Sequence, residues 1–177
     1  LTIVALGKFG GREIGYGADL DVLFVGEETR AAQGLFATVG QSSAEGRLAP
    51  LDARLRPDGE KGPLVCSLET FRTYYESRAQ FWELQSLTRA RAISGPLRFE
   101  FEALARELWR GAGGRSDLTR KIESMLIRIA NERGSGNDFF DFKTGIGGMI
   151  EAEFLVQALQ MQSRIWEPNF FLAVKEL

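Results

Sequence analysis

The chain has 177 residues, 44% of them hydrophobic and 26% charged, enough to bury a core as one domain or two small ones. A net charge of −2 argues against a broad basic face for nucleic acid, no apolar run approaches the ~20 residues that span a bilayer, and the single cysteine, Cys66, excludes an internal disulfide and fits a reducing cytoplasm. Histidine is absent, which removes imidazole bases, Ser-His triads and histidine metal sites and leaves carboxylates, lysine, arginine and bound metal for any chemistry.

Thr2 to Leu6 reads as a strand. Because the chain opens inside it and closes inside an expected helix, Pro168 to Leu177, it is expected to be a piece of a longer polypeptide. Gly7 to Val25 carries the most distinctive local pattern: a glycine-rich loop with the pair Gly10-Gly11, then Asp19-Leu20-Asp21 opening the apolar run Leu20 to Val25, a buried strand by composition. Residues two apart on a strand share a face, so Asp19 and Asp21 present both carboxylates to one side, where they repel unless a cation lies between them. The natural cation is Mg²⁺, a hard ion that joins carboxylates to a substrate phosphate, and the glycine pair lets backbone N–H groups approach that phosphate. Each half alone reads equally as an ordinary turn or a solvated strand end; in this order they describe a site for a metal–nucleotide complex.

Glu27 to Ala44 places Leu35, Phe36 and Val39 at helical spacing. Leu48 to Leu55 is expected as a second long strand whose alternation sets Asp52, Arg54 and Arg56 on one face. Pro57-Asp58-Gly59 turns the chain and Gly62 to Cys66 returns it, so Leu48 to Cys66 is expected as a hairpin. From Ser67 onward helices dominate. The first is capped at Ser67 and carries Phe71, Tyr74 and Tyr75; the second runs from Gln80 to Ile93 and is broken by Gly95-Pro96. The third runs from Leu97 to Arg110 and ends in Gly111-Ala112-Gly113-Gly114, a linker by composition. Tyr74, Tyr75, Phe81 and Trp82 would make a platform for a nucleotide, but their helical spacing favours the core. Arg89 and Arg91 flank Ala90, so at most one of them is expected to face the site.

Ser116 then caps a helix to Glu132 with Leu118, Ile122, Met125, Leu126 and Ile129 along one stripe. Gly134 to Asn137 is an expected loop, Phe139 to Lys143 a short strand, and Gly145 to Gly148 a second glycine turn before a helix from Met149 to Arg164. This order predicts an α+β fold: a small mixed β-sheet core with flanking helices over residues 1–110, followed by a helical bundle over residues 115–177.

Metal-assisted phosphoryl transfer needs ligands that hold two Mg²⁺ ions about 3.5–4 Å apart. Asp19 and Asp21 suit the bridging positions, and Asp52 is the candidate third carboxylate, with Arg54 and Arg56 on its face to neutralise phosphate. The same residues also read as an Asp52–Arg54 surface pair of little energetic worth.

Taken together, Gly7-Lys8-Phe9-Gly10-Gly11-Arg12-Glu13-Ile14, Asp19-Leu20-Asp21, Leu51-Asp52-Ala53-Arg54-Leu55-Arg56-Pro57 and Gly62-Pro63-Leu64-Val65 resemble the bifunctional glutamine synthetase adenylyltransferase/adenylyl-removing family. That family belongs to the DNA polymerase β-like nucleotidyltransferases. Trp82 to Leu87, Arg89-Ala90-Arg91, Asp141-Phe142-Lys143, Gly147-Gly148 and Glu153-Phe154 extend the resemblance over most of the chain, in order. It implies a nucleotidyltransferase core that moves AMP between ATP and a tyrosine hydroxyl of glutamine synthetase. Asp19, Asp21 and Asp52 would be its catalytic Mg²⁺ ligands, Gly10 and Gly11 would lie at the triphosphate, and Arg12 would join the nucleotide-binding residues.

The family enzyme pairs a domain that attaches AMP with a homologous one that removes it by phosphorolysis. Trp82 to Leu87 and Asp52-Ala53-Arg54 look closer to the attaching half, while the segment between Asp21 and Asp52 looks shorter than the family leads one to expect. The Asp141-to-Gly148 stretch also resembles the uridylyltransferases that modify the PII signal protein, which makes PII a second candidate partner and Lys143 a candidate phosphate ligand; from spacing alone Lys143 reads equally as a solvated lysine. Lys8 precedes the glycine pair and no Gly-Lys-Ser/Thr follows, so a P-loop is excluded. Three readings remain: attachment of AMP with Asp52 as proton acceptor, its phosphorolytic removal, and a catalytically silent nucleotide-binding module. The clustered aspartates weigh against the last.

Overall fold

In the computed structural model, which describes residues 1–44, 46–47, 49–114, 116–133 and 141–177, the two apolar runs near the start of the chain form the centre of a mixed sheet. β1 (Thr2–Ala5) pairs antiparallel with β2 (Leu20–Val25), Ala5 opposite Val22. Between them α1 (Gly7–Gly10) is a single helical turn where a loop was expected. β2 is apolar on both faces because both are covered. Leu23 and Val25 join the main core under the later helices, while Val22 and Phe24 pack with Ala32 and Phe36 of α2 (Thr29–Val39). α2 stops at Gly40 rather than continuing to Ala44, and a short hairpin of β3 (Ser42–Ser43) and β4 (Gly46–Arg47) follows.

The other edge of β2 is shared by two short strands. β5 (Leu51–Asp52) pairs parallel with its beginning and β6 (Val65–Cys66) parallel with its end. Both therefore run in the same direction, and the expected hairpin over Leu48 to Cys66 does not form. The cause lies between them: the Arg56 guanidinium donates to the carbonyls of Ala53 (2.8 Å), Glu60 (3.1 Å) and Gly62 (3.2 Å), gathering residues 53–62 into a loop outside the sheet. Arg54 and Arg56 consequently leave the strand directly after Asp52.

α3 (Leu68–Ser77) starts where its cap predicts, with the Ser67 hydroxyl accepting from the Thr70 N–H at 3.1 Å, and it buries Phe71, Tyr74 and Tyr75. α4 (Phe81–Ser86) is shorter than expected. The chain passes through a 3₁₀ turn at Leu87–Arg89 and becomes β7 (Arg91–Ser94), antiparallel to β1. An open edge on β1 supplies hydrogen bonds that override the helical periodicity of that segment. α5 (Arg98–Gly113) runs straight through most of the glycine stretch that composition marks as a linker. Ala112 is buried there, and a side chain on Gly113 would come within 2.4 Å of the Met161 carbonyl, so the glycine is what lets α5 close on its neighbour.

α6 (Leu118–Arg133), α7 (Met149–Ser163) and α8 (Phe170–Glu176, capped by Asn169) complete the chain, with α7 packed on α5 and α6. Phe142 and Lys143 lie in a turn rather than a strand, with Asp141 Oδ1 accepting the Lys143 N–H at 2.9 Å; residues 134–140, which include the expected loop and the start of that strand, lie outside the described residues. The arrangement is α+β, as expected. One core cluster runs from Leu23 and Phe71 through Trp109 to Leu118, Ile122 and Met161. Among the described residues no helix is long and apolar enough to cross a membrane.

Candidate active site

The parallel pairing of β2 with β5 sets Asp21 opposite Asp52. In-register neighbours in a sheet point to the same face, so these two carboxylates share a side, and Asp19 precedes β2 by a single residue on the same alternation. The structure thus brings Asp52 beside the pair Asp19 and Asp21. Beside them opens a cleft of about 510 Å³, walled in part by Asp19, Asp52, Arg54, Phe36 and Leu64.

Asp21 is the half-buried member. Burial first, then the charges of Asp52 and Asp19, push its carboxyl up to about 6, with Arg54 pulling weakly the other way. Gly7 makes room for it: its φ is +51°, and a side chain there would come within 2.3 Å of Asp21 Oδ2. Asp52 faces a different environment. It accepts the Arg54 backbone N–H at 2.8 Å and is clasped by the Arg54 guanidinium, with Nε 2.8 Å from Oδ2 and 3.0 Å from Oδ1 and Nη2 also on Oδ2. Arg54 holds the Asp52 carboxyl below the usual carboxylate range. The surface pair read from the sequence is therefore present, and it joins a candidate metal ligand to the most exposed arginine of the cleft.

The donor set suits a hard divalent cation: carboxylate oxygens only, with like charges held close enough to raise Asp21. Among the described residues no three such side chains already enclose a metal-sized space, Asp52 being turned onto Arg54. Arg56 lines the same cleft, but its guanidinium is engaged by the three carbonyls of its own loop, as that of Arg54 is by Asp52.

The glycine pair is used differently from the expectation. The Gly10 N–H donates to Leu6 O at 2.7 Å and the Gly11 N–H to Gly7 O at 3.1 Å, which closes α1 and leaves neither for a triphosphate. What approaches the pair closely is this chain itself: a side chain on Gly10 would lie 1.8 Å from the Arg89 carbonyl and 2.8 Å from that of Ala5, and one on Gly11 would lie 2.8 Å from the Pro168 carbonyl. Because backbone atoms block the space, Gly10→Ala is expected to lower stability by about 1–3 kcal/mol, the ordinary range for overpacking. Urea denaturation measures this, and an unchanged midpoint would return the glycine pair to a ligand role.

Arg12, at φ +58°, and Arg91 line a separate cleft of about 210 Å³ beside the glycine pair, where Arg91 donates to Gly10 O at 2.8 Å and Phe9 O at 3.1 Å. Lys143 stands exposed in the turn before α7. Neither Arg12 nor Lys143 lines the carboxylate cleft.

A charged network that the sequence does not announce moors this region. Arg89 Nη1 lies 3.0 Å from Glu13 Oε2, Arg89 Nη2 3.9 Å from Glu153 Oε1, and Lys8 Nζ 2.8 Å from the same Glu153 oxygen. Glu13 also accepts the Phe170 N–H, and Asn169 Nδ2 donates to Gly11 O at 2.7 Å. α7 and α8 are thereby fastened to the segment that leads into the aspartates. Lys8 and Glu153 are both visible as charged residues beside glycine turns, but no spacing rule joins positions 145 residues apart.

Two aspartates at the head of one strand, a third in register on its parallel neighbour and helices behind the sheet define a carboxylate site on a mixed α+β fold. Residues 1–106 match the family model described as glutamate-ammonia ligase adenylyltransferase. The chain belongs to that family. It is 34% identical over 177 residues to the bifunctional glutamine synthetase adenylyltransferase/adenylyl-removing enzyme of Streptomyces avermitilis, covering 91% of this chain and 18% of that relative. The enzymes of the same description from Aromatoleum aromaticum (35% over 169 residues; 89% of this chain, 18% of the relative) and Bordetella bronchiseptica (36% over 170; 90% and 18%) are similar to the same extent. The chain spans about a fifth of the length of these curated relatives, which it covers to 18%.

Proposed function

We propose that this chain is a catalytic nucleotidyltransferase domain that transfers AMP from ATP to a tyrosine hydroxyl of glutamine synthetase. The observation that carries the proposal is the in-register pairing of Asp21 with Asp52, close enough for Asp52 and Asp19 to raise the Asp21 carboxyl. A binding-only surface gains nothing from like charges placed this way, whereas a site that receives a cation needs them. The names of the relatives supply the protein substrate.

Asp19, Asp21 and Asp52 would hold Mg²⁺, which when bound polarises the phosphate and lowers the pKa of the attacking hydroxyl. Arg54 reaches into the cleft and can exchange Asp52 for phosphate oxygens, a planar fork for which either partner is suited. The tyrosine oxygen attacks the α-phosphorus, the bond from that phosphorus to the bridging oxygen breaks, pyrophosphate leaves with the electron pair, and the hydroxyl proton passes to Asp52. The rest of the protein's contribution is position and charge neutralisation.

ATP labelled in its α-phosphate, incubated with Mg²⁺, unmodified glutamine synthetase and this chain, is expected to label the synthetase. The reverse arm presents adenylylated synthetase and phosphate: ADP released there and no label in the forward arm would assign the chain to removal of AMP. Turnover in neither arm overturns the proposal.

A further inference from the structure

Gln85, on α4, is 2% exposed, and its Nε2 donates to Gln157 Oε1 at 2.8 Å. Its Oε1 accepts nothing, the one buried side-chain nitrogen or oxygen among the described residues left in that condition. Leaving a buried acceptor unpaired costs free energy, and such a group calls for a donor from outside the fold. Gln85 lines a cavity of about 210 Å³ with apolar walls at Leu55, Trp82, Met125 and Phe154 and polar groups at Ser86, Arg89, Glu153 and Gln157. That cavity is several times the roughly 30 Å³ share of one water, so a single bridging water would not fill it. It is also below the roughly 300 Å³ at which drug-sized ligands are enclosed, so it suits a single flat ring system and not a whole nucleotide.

The position of the cavity limits which ring system. Gly7 lines it too, and the Gly7 backbone lies directly against the Asp21 carboxylate. A ring in this cavity would therefore continue toward the carboxylate site, with sugar and phosphates outside. Trp82 and Phe154 offer aromatic surface, against which nucleobases pack.

We propose that this cavity holds the adenine ring of ATP and that Gln85 selects it, Oε1 accepting a hydrogen bond from the 6-amino group. The proposal rests on the nucleotidyl-transfer reading and adds to it the residue that distinguishes the base. Hypoxanthine and guanine carry a carbonyl oxygen at the same ring position, which would set acceptor against acceptor. A site that requires a donor rejects a ligand lacking it more sharply than an apolar pocket rejects a change of size.

The test is direct binding by calorimetry of the Mg²⁺ complexes of ATP, ITP and tripolyphosphate to the unaltered protein and to Gln85→Met. The unaltered protein is expected to bind ATP at least about tenfold more tightly than ITP, the scale of one hydrogen bond gained and one acceptor clash avoided. Gln85→Met should bring ATP to the level of ITP and leave tripolyphosphate unchanged, which also shows that the variant is folded. Equal affinity of the unaltered protein for ATP and ITP overturns the base pocket alone, as does a variant that still discriminates. Should Gln85→Met fail to fold, the ATP-to-ITP comparison on the unaltered protein decides by itself. If neither ATP nor tripolyphosphate binds, the nucleotidyl-transfer reading falls and the pocket with it.

Discussion

Asp21→Asn is expected to abolish AMP transfer while making the metal-free protein more stable. Asn keeps the shape of the side chain and removes the charge that a divalent cation would neutralise, so transfer should drop by at least about 10³-fold, the scale of losing a principal electrostatic contact in the transition state. Stability moves the other way. The native Asp21 carboxyl is raised from 3.8 to about 6, so the folded protein holds a proton that the unfolded chain has released. That contribution is complete below the unfolded value and is lost as pH rises through about 6, leaving a repelled carboxylate at neutral pH. The substitution removes this penalty. Allowing for the screening of a half-exposed group, the gain at pH 7.5 is about 1 kcal/mol. Thermal melts with and without Mg²⁺ read both effects: the unaltered protein should gain stability on adding Mg²⁺ by mass action, and the variant should start higher and gain little. Retained transfer in the variant would remove the ligand assignment, and a lower melting temperature without metal would contradict the electrostatic reading of the site.

Arg89→Leu is expected to destabilise the fold by about 3–5 kcal/mol, the range for removing one partner of a buried ion pair. The Arg89 and Glu13 side chains are 6% and 12% exposed, and the substitution strands the Glu13 carboxylate beside α8 with the Phe170 N–H as its remaining partner. Glu153 is affected less, because Lys8 remains on it at 2.8 Å. Replacing Glu13 as well, in Arg89→Leu/Glu13→Leu, should recover part of the loss, since an apolar pair in place of both charges leaves nothing unpaired. Chemical denaturation of both variants measures the difference. A single variant within 1 kcal/mol of the parent, judged against the ~3 kcal/mol floor for breaking a buried pair, would show that the network does not hold α7 and α8 to the segment before the aspartates. Because Gly7 carries that segment past Asp21, the surviving folded fraction should also transfer AMP more slowly.

Much of this region is legible in the sequence. β1, β2 and the start of α3 follow from apolar runs and a serine cap, signals that reside within a few residues. Asp19 and Asp21 read as a same-side pair because strand alternation is local, and Asp52 reads as a third carboxylate near an arginine. The resemblance that ties these residues into one family is likewise a property of the sequence, and residues 1–106 match the model of that family.

Other features depend on partners that the sequence does not mark. The helix expected over Gln80 to Ile93 ends early, and Arg91 to Ser94 becomes β7 because β1 presents an open edge. Leu51–Asp52 and Val65–Cys66 look like two arms of a hairpin and instead lie along one edge of β2, since Arg56 gathers the loop between them. Gly10 and Gly11 promise close approach, which the sequence states correctly, but only the tertiary structure shows that the approaching groups are the Arg89 and Pro168 carbonyls. Arg89 meets Glu13 across 76 positions and Lys8 meets Glu153 across 145. Periodicity and short spacing encode the central strands, the caps and the residue types of the site. Which edge each short strand joins, what fills the space at the glycines and which charges are paired are settled by groups that become neighbours only once the chain has folded.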